Sequence, residues 1–238
     1  MAVLTGNQDK ASNASETAKA YREIIDSRWW DEENNRYNTF WTTEKKFFRG
    51  EGVPFILWFD ATDSNERKRA CVTDILAREW NVENMSAFPL LFYNLGYNEE
   101  AYRFVSTLPT TNRSEYPEVS YGIVEGIVCG AMGLSASASD GKVTSLSRVA
   151  DDFCDIKNVP VFNGYISLRH EGMNLSKISN DTDTDLIWVA SFQGKHDTLE
   201  CDGQNLTTTI STDVKGNTIS SAEIKLPKGA KKTVRTVN

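Results

Sequence analysis

The chain has 238 residues, 39% of them hydrophobic and 25% charged, enough apolar material for one large packed domain or two modest ones. A formal net charge of −7 argues against a nucleic-acid backbone or an anionic membrane as partner, and it is compatible with a neutral small molecule. No apolar run reaches the roughly 20 residues of a membrane span, and residues 1–15 lack the apolar core of a secretion signal. If the chain is complete, a cytoplasmic location is expected. Cys71, Cys129, Cys154 and Cys201 are widely scattered and match no metal-ligand spacing, so they read as structural thiols. His170 and His196, the only histidines, leave little material for a Ser-His-Asp triad or a His-rich metal centre. No metal and no cofactor are expected.

In chain order, residues 1–13 read as a frayed start or as the stump of an earlier element. A helix follows from Ala14, with Ala18, Tyr21, Ile24 and Ile25 on one apolar face, ending at Trp29-Trp30. Residues 31–52 form a polar and aromatic connection containing Tyr37, Phe40, Trp41, Phe47 and Phe48. Such a length marks a functional or locally structured segment rather than a plain loop. Next come a short apolar helix over 53–59 with Pro54 near its start, an amphipathic helix over 65–80, and an apolar helix over 85–95 stopped by Gly96. A polar-faced helix spans 98–108, and an almost wholly apolar one opens at Pro117, where a missing N–H costs nothing. Val119, Ile123, Val124, Ile127, Val128, Ala131 and Met132 cover too much of its circumference for a surface stripe, which predicts a buried helix. Gly122, Gly126, Gly130 and Gly133 each cost roughly 1 kcal/mol of helix propensity relative to Ala. They make sense where a neighbouring helix comes close.

Amphipathic and apolar helices therefore alternate, as three hairpins that each pair an outer helix with an inner one. The predicted class is α+β: a partial (α/α)6 barrel, or α/α toroid, over 14–134, then a small antiparallel β-sandwich over 155–238. Three hairpins supply half of a closed ring, so the chain reads as a partial barrel or as the carboxyl-terminal part of a longer protein, the second being favoured because half a ring leaves apolar helix flanks uncovered. Residues 135–142 read as a boundary. Period-two segments follow, separated by turn signals such as Asn163-Gly164, Glu171-Gly172 and Asp202-Gly203. The basic tail, 228–238, reads as a solvated end.

In a helical ring the inner helices run in one direction, so their amino ends meet at a mouth with unpaired N–H groups and positive partial charge. The segments brought there are Arg49-Gly50-Glu51-Gly52, Asn81-Val82-Glu83-Asn84 and Arg113-Ser114-Glu115-Tyr116-Pro117-Glu118. Glu118, Glu51 and Glu115 are the acid/base candidates, because glycoside hydrolysis uses paired carboxylic acids. Arg49, Glu83, Asn84, Arg113 and Tyr116 are candidates for substrate binding. Trp41, in the long connection, is the candidate for stacking on a sugar ring. Helix capping alone also favours acidic residues in a first turn. Trp58, Phe88 and Phe92 read as core, Asp60 and Asp63 as lying away from the mouth. Glu125, mid-helix, would be a costly buried charge unless paired.

The run Tyr116-Pro117-Glu118-Val119-Ser120-Tyr121-Gly122-Ile123-Val124-Glu125-Gly126-Ile127-Val128, followed by Gly130-Ala131-Met132-Gly133-Leu134, resembles the last inner helix of bacterial six-hairpin glycosidases. Asn81-Val82-Glu83-Asn84-Met85-Ser86 with Phe88-Pro89, and Trp29-Trp30-Asp31-Glu32, fit the same picture, and the likeness covers about residues 14–235. The resemblance implies hydrolysis of an oligo- or polysaccharide with two carboxylic acids. Glu118 or Glu115 would be the base or a sugar-binding carboxylate, and Glu51 the acid. The chain departs from the family in having three hairpins rather than six, which leaves open whether the acid belongs to the other half. The alternative is a non-catalytic carbohydrate-binding or interaction module using the same mouth. A barrel-type lyase is poorly supplied, since both histidines lie in the strand-rich part.

Overall fold

Helix formation starts earlier than the polar opening predicts. The computed structural model describes residues 6–149 and 153–237. In it the Asn7 side chain accepts from the Lys10 N–H at 3.1 Å and caps α1 (Gln8–Ile24). The expectation of a frayed start therefore fails from Gln8 onward, and its first five residues lie outside the described ones. Contacts divide the chain into two compact units, Met1–Asn84 and Met85–Asn238.

In the first unit, α1 buries none of its residues; Tyr21 on its apolar face is 62% exposed. It runs into a π-helical turn, Ile25–Trp29. The long connection is locally structured as two minimal antiparallel ladders, β1 (Trp30–Asp31) with β2 (Arg36–Tyr37), and β3 (Phe40–Trp41) with β4 (Phe47–Phe48). Helix α2 (Val53–Trp58) has Pro54 in its first turn and buries Val53, Pro54 and Leu57. Trp58, read as core, is 40% exposed. Ser64 caps α3 (Asn65–Leu76), which buries Cys71, Val72 and Ile75. Tyr37 is fully buried and donates to the Asp26 carboxylate. Asp26 also pairs with Arg67 at 3.1 Å, and Arg67 reaches Glu32 at 3.2 Å and lies over the Trp30 ring. Three distant stretches are thereby tied by one partly exposed polar knot around the buried Tyr37.

The division between units falls inside a single helical turn, α4 (Val82–Ser86). In the second unit α5 (Phe88–Leu95) stops, as predicted, at Gly96 with φ +88°, a conformation glycine adopts without steric cost. Then come α6 (Asn98–Thr107) and α7 (Pro117–Glu125), the latter prolonged by a π-helical segment, Gly126–Ala131. The α7 glycines face α5 in step: Gly122 against Ser86, Gly126 against Pro89, Gly130 against the Tyr93 ring. Both numberings rise together, so α5 and α7 run parallel. Burial of α7 is one-sided, however. Val119 and the glycine ridge are covered, whereas Tyr121 is 74% exposed and Val124 and Ile127 are also open. Glu125 is exposed as well, so the buried charge expected there does not arise.

Eleven strands complete the described part of this unit. They are β5 (Ser135–Ser137), β6 (Lys142–Leu146), β7 (Phe153–Val161), β8 (Gly164–Glu171), β9 (Leu175–Asp181), β10 (Leu186–Gln193), β11 (Thr198–Cys201), β12 (Gln204–Thr207), β13 (Thr209–Thr212), β14 (Thr218–Leu226) and β15 (Lys231–Thr236). One sheet has the order β13-β14-β10-β6-β5, the other β12-β11-β15-β9-β8-β7. Pairing is antiparallel throughout except between β6 and β10. Trp188, Phe192 and Leu226 of one sheet and Ile166, Leu168, Leu199 and Val234 of the other share one hydrophobic core.

Two segments correct the sequence reading. The boundary assigned to residues 135–142 contributes strand β5 and the start of β6. The tail read as solvated is β15, an inner strand between β11 and β9, with Val234 fully buried. Sheet pairing on both edges and one apolar anchor outweigh its polar composition. The four cysteines are free, as expected. His170 is fully buried; its Nε2–H donates to the Met132 carbonyl at 3.1 Å and its Nδ1 accepts from the Ser176 hydroxyl at 2.7 Å. Burial lowers its pKa to about 4. No helix among the described residues is long and apolar enough to cross a membrane, and no group of three or more His, Cys, Asp or Glu among them could hold a metal ion.

Candidate functional site

Two constellations of site candidates exist, one in each unit. In the first unit, the Thr39 hydroxyl accepts from the N–H groups of Gly50 (3.2 Å) and Gly52 (3.1 Å), which pins the loop ahead of α2 to the foot of the β3–β4 hairpin. Arg49 is drawn to Asp74 on α3, donating to both its carboxylate and its backbone carbonyl. Arg78 pairs with the other Asp74 oxygen at 3.3 Å, donates to the Gly50 carbonyl at 3.0 Å and stacks on Trp80. Asp74 is thus a nearly buried carboxylate between two guanidiniums, and the loop bearing Glu51 is held from both sides. Burial lowers the Arg78 pKa, partly offset by Asp74 and Glu51. Glu51 itself points to solvent.

Above this loop the hairpin displays aromatic rings. Trp41 packs against Phe47 with centroids 4.3 Å apart, and Phe47 meets Trp29 edge-on at 5.0 Å. Trp41 nevertheless keeps 46% of its surface open, and Phe40 and Phe48 are exposed beside it. A ring held on one side and open on the other is suited to stacking. Glu83 sits in the first turn of α4, and the Asn81 side chain caps that turn by accepting from the Asn84 N–H at 2.8 Å. Asn84 reads here as part of a helix start.

In the second unit, Tyr116 is the N-cap of α7 and Pro117 its first residue. The Arg113 guanidinium carbon lies over the Tyr116 ring, 4.0 Å from its centroid, and the side chain donates to the Tyr116 hydroxyl. Glu115 and Glu118 are exposed on either side of Tyr116, with Glu118 in the first turn of α7. Since α5 and α7 are parallel, their amino ends open in the same direction, which is the arrangement a mouth requires. At the far end Arg148 donates to the Gly130 carbonyl at 2.5 Å and closes the π-helical segment; burial lowers its pKa to about 10.

The structure therefore brings Trp41, Arg49 and Glu51 around one hairpin foot, and Arg113, Glu115, Tyr116 and Glu118 around one helix start. Asp60 and Asp63, set aside in the sequence reading, both pair with Arg22. Asp74 and Arg78 belong to the stretch expected as an amphipathic helix over 65–80, and their i,i+4 spacing is the signal the sequence offers for the pair. The Asp26–Tyr37–Arg67 knot left no local signal, because its members are 11 and 41 residues apart.

No protein-family model matches the sequence. No curated protein matches it either. Among solved structures the fold is similar to an alpha-L-rhamnosidase from Dictyoglumus thermophilum, with a TM-score of 0.65 and 11% identity, covering 99% of this chain and 30% of that one. A weaker likeness, with a TM-score of 0.45 and 12% identity, covers 83% of this chain and 30% of a protein described as a kojibiose phosphorylase from the human microbiome. At such identities the likeness is one of fold, a mixed helical and largely antiparallel-sheet architecture. The chain spans under a third of either neighbour's length.

Proposed function

We propose that the chain is the helical and β-sheet portion of a carbohydrate-active enzyme that hydrolyses glycosidic bonds. In this reading residues 14–134 belong to an (α/α) barrel and residues 155–238 to a β-sandwich packed after it. The observation that supports it is the parallel run of α5 and α7, the direction inner helices of such a barrel share, with Glu115, Tyr116 and Glu118 at the amino end of α7. The likeness to a rhamnosidase fold over 99% of the chain supports it.

In the proposed mechanism Glu118 takes a proton from the attacking water or stabilises the cationic sugar, and Glu115, at the same helix start, protonates the departing oxygen; Glu51 is the acid candidate of the first unit. Arg113 and Tyr116, locked to each other, orient sugar hydroxyls; Arg49, Glu83 and Asn84 contribute further polar contacts. Trp41 stacks on the apolar face of a sugar ring. The ion pairs from Asp74 hold the Glu51 loop rigid, which positioned acid/base chemistry needs.

The second reading is a carbohydrate-binding module without turnover. Trp41 favours it, because an exposed ring beside Phe40 and Phe48 can hold a sugar without any acid pair. A screen of aryl glycosides and oligosaccharides for released reducing ends separates the two. Hydrolysis with a raised KM in Trp41→Ala supports the enzyme. Saturable binding without product in every case supports the module.

A further inference from the structure

The outer face of the six-stranded sheet carries a site that the helical opening does not use. Along β8, Ile166, Leu168 and His170 point into the core, so Tyr165, Ser167, Arg169 and Glu171 point outward. Register extends this face across three further strands. Ser167 stands opposite Ser179, and Ser179 opposite Lys231. Arg169 stands between Asp155 and Lys177, and Lys177 opposite Thr233. Two rows of donors result, with neighbours roughly 4.8 Å apart across strands and rows roughly 7 Å apart along them. Together they line a shallow concavity of about 270 Å³.

Charge on this face runs against the chain's net −7. Glu171 accepts from Arg169 (3.0 Å) and Lys177 (2.8 Å), Asp155 is shared by Lys157 (3.7 Å) and Arg169 (3.9 Å), and Asp181 accepts from Ser179. Lys231 has no acceptor among the described residues. Lys157, Arg169, Lys177 and Lys231 thus face Asp155, Glu171 and Asp181, leaving one positive charge in surplus. Phe153, beneath the Arg169 guanidinium at 4.2 Å, and Tyr165 are exposed rings on the same face.

We propose that this face binds an anionic polysaccharide, with a sugar carboxylate or sulfate on Lys177 and Lys231 and sugar hydroxyls on Ser167, Ser179 and Thr233. A phosphate at every unit, as in nucleic acid, would call for a denser cation array. A small surplus interleaved with hydroxyls and flanked by rings fits a sparsely charged glycan. The site stands apart from the hydrolytic reading and does not depend on it.

Affinity electrophoresis of the full chain through gels holding polygalacturonate, dextran sulfate or neutral dextran tests it. Retardation in at least one polyanion gel is expected, weakened by salt, with neutral dextran bound at least about ten-fold more weakly. The first two gels tell carboxylate from sulfate. Lys177→Gln with Lys231→Gln, folded as judged by circular dichroism, should lose at least about five-fold in affinity, and Lys231→Arg should keep it. No retardation by either polyanion, equal retardation by neutral dextran, an unaffected double variant, or equal retention by single-stranded DNA would each overturn the proposal.

Discussion

Gly126, the first residue of the π-helical segment that prolongs α7, lies so close to Pro89 of α5 that a Cβ added to it would come within 2.5 Å of the proline Cβ. With Gly122 against the Ser86 carbonyl and Gly130 against the Tyr93 ring, it makes α7 a helix that pays for close approach with its own propensity. Gly122→Ala should lower stability by about 1–3 kcal/mol, because its neighbour is backbone and cannot give way. Gly130→Ala should cost less, since the Tyr93 ring can turn. Thermal unfolding followed by circular dichroism ranks the two; equal or raised melting temperatures would contradict the parallel packing.

Asp74 bridges Arg49 and Arg78, and Asp74→Asn leaves both guanidiniums short of a counter-charge. Fully buried pairs lose about 3–5 kcal/mol when one partner is removed. Arg49 is about a third exposed, so a smaller loss of about 2 kcal/mol is expected in urea unfolding. Faster proteolysis between Gly50 and Gly52 should accompany it.

His170 makes stability depend on pH. Its folded pKa of about 4 lies below the ordinary 6.5, so the folded state holds it neutral while the unfolded chain takes up a proton. The contribution is complete above pH 6.5 and is lost as pH falls from 6.5 toward 4, about 3 kcal/mol at most. His170→Gln should flatten the dependence of the urea midpoint on pH over that window. An unchanged slope would show that another group carries it.

Cys71 is buried, and desolvation pushes its thiol up to about 12. Iodoacetamide should label it in native protein only as fast as the unit containing it unfolds. Labelling at the rate of a free thiol would place Cys71 at the surface.

How much of this was legible in the sequence varies with the range of the forces involved. The α7 start at Pro117 and the α5 stop at Gly96 follow from backbone sterics within a residue or two, and both were readable. The glycine ridge was readable as a close approach, though not which helix it approaches. Strand β15 was not readable, because Lys231, Lys232, Thr233 and Arg235 look solvated and only Val234 marks the core side. The π-helical segments, Ile25–Trp29 and Gly126–Ala131, have no residue signature. Burial of α7 was overread: apolar residues around its whole circumference gave no hint that Tyr121 and Val124 stay open. Among the site candidates, the position of Tyr116 and Glu118 at a helix start was readable from local pattern, whereas the tie from Arg49 to Asp74 spans 25 residues and only folding reveals it.

The most direct test compares kcat/KM of the unaltered chain and Glu118→Gln on whichever glycoside the screen identifies, with melting temperatures measured alongside. A fall of at least about 100-fold at unchanged stability is predicted, the range removal of a positioned acid or base produces. Turnover equal to that of the unaltered chain would contradict the account and leave Glu118 a helix-capping residue.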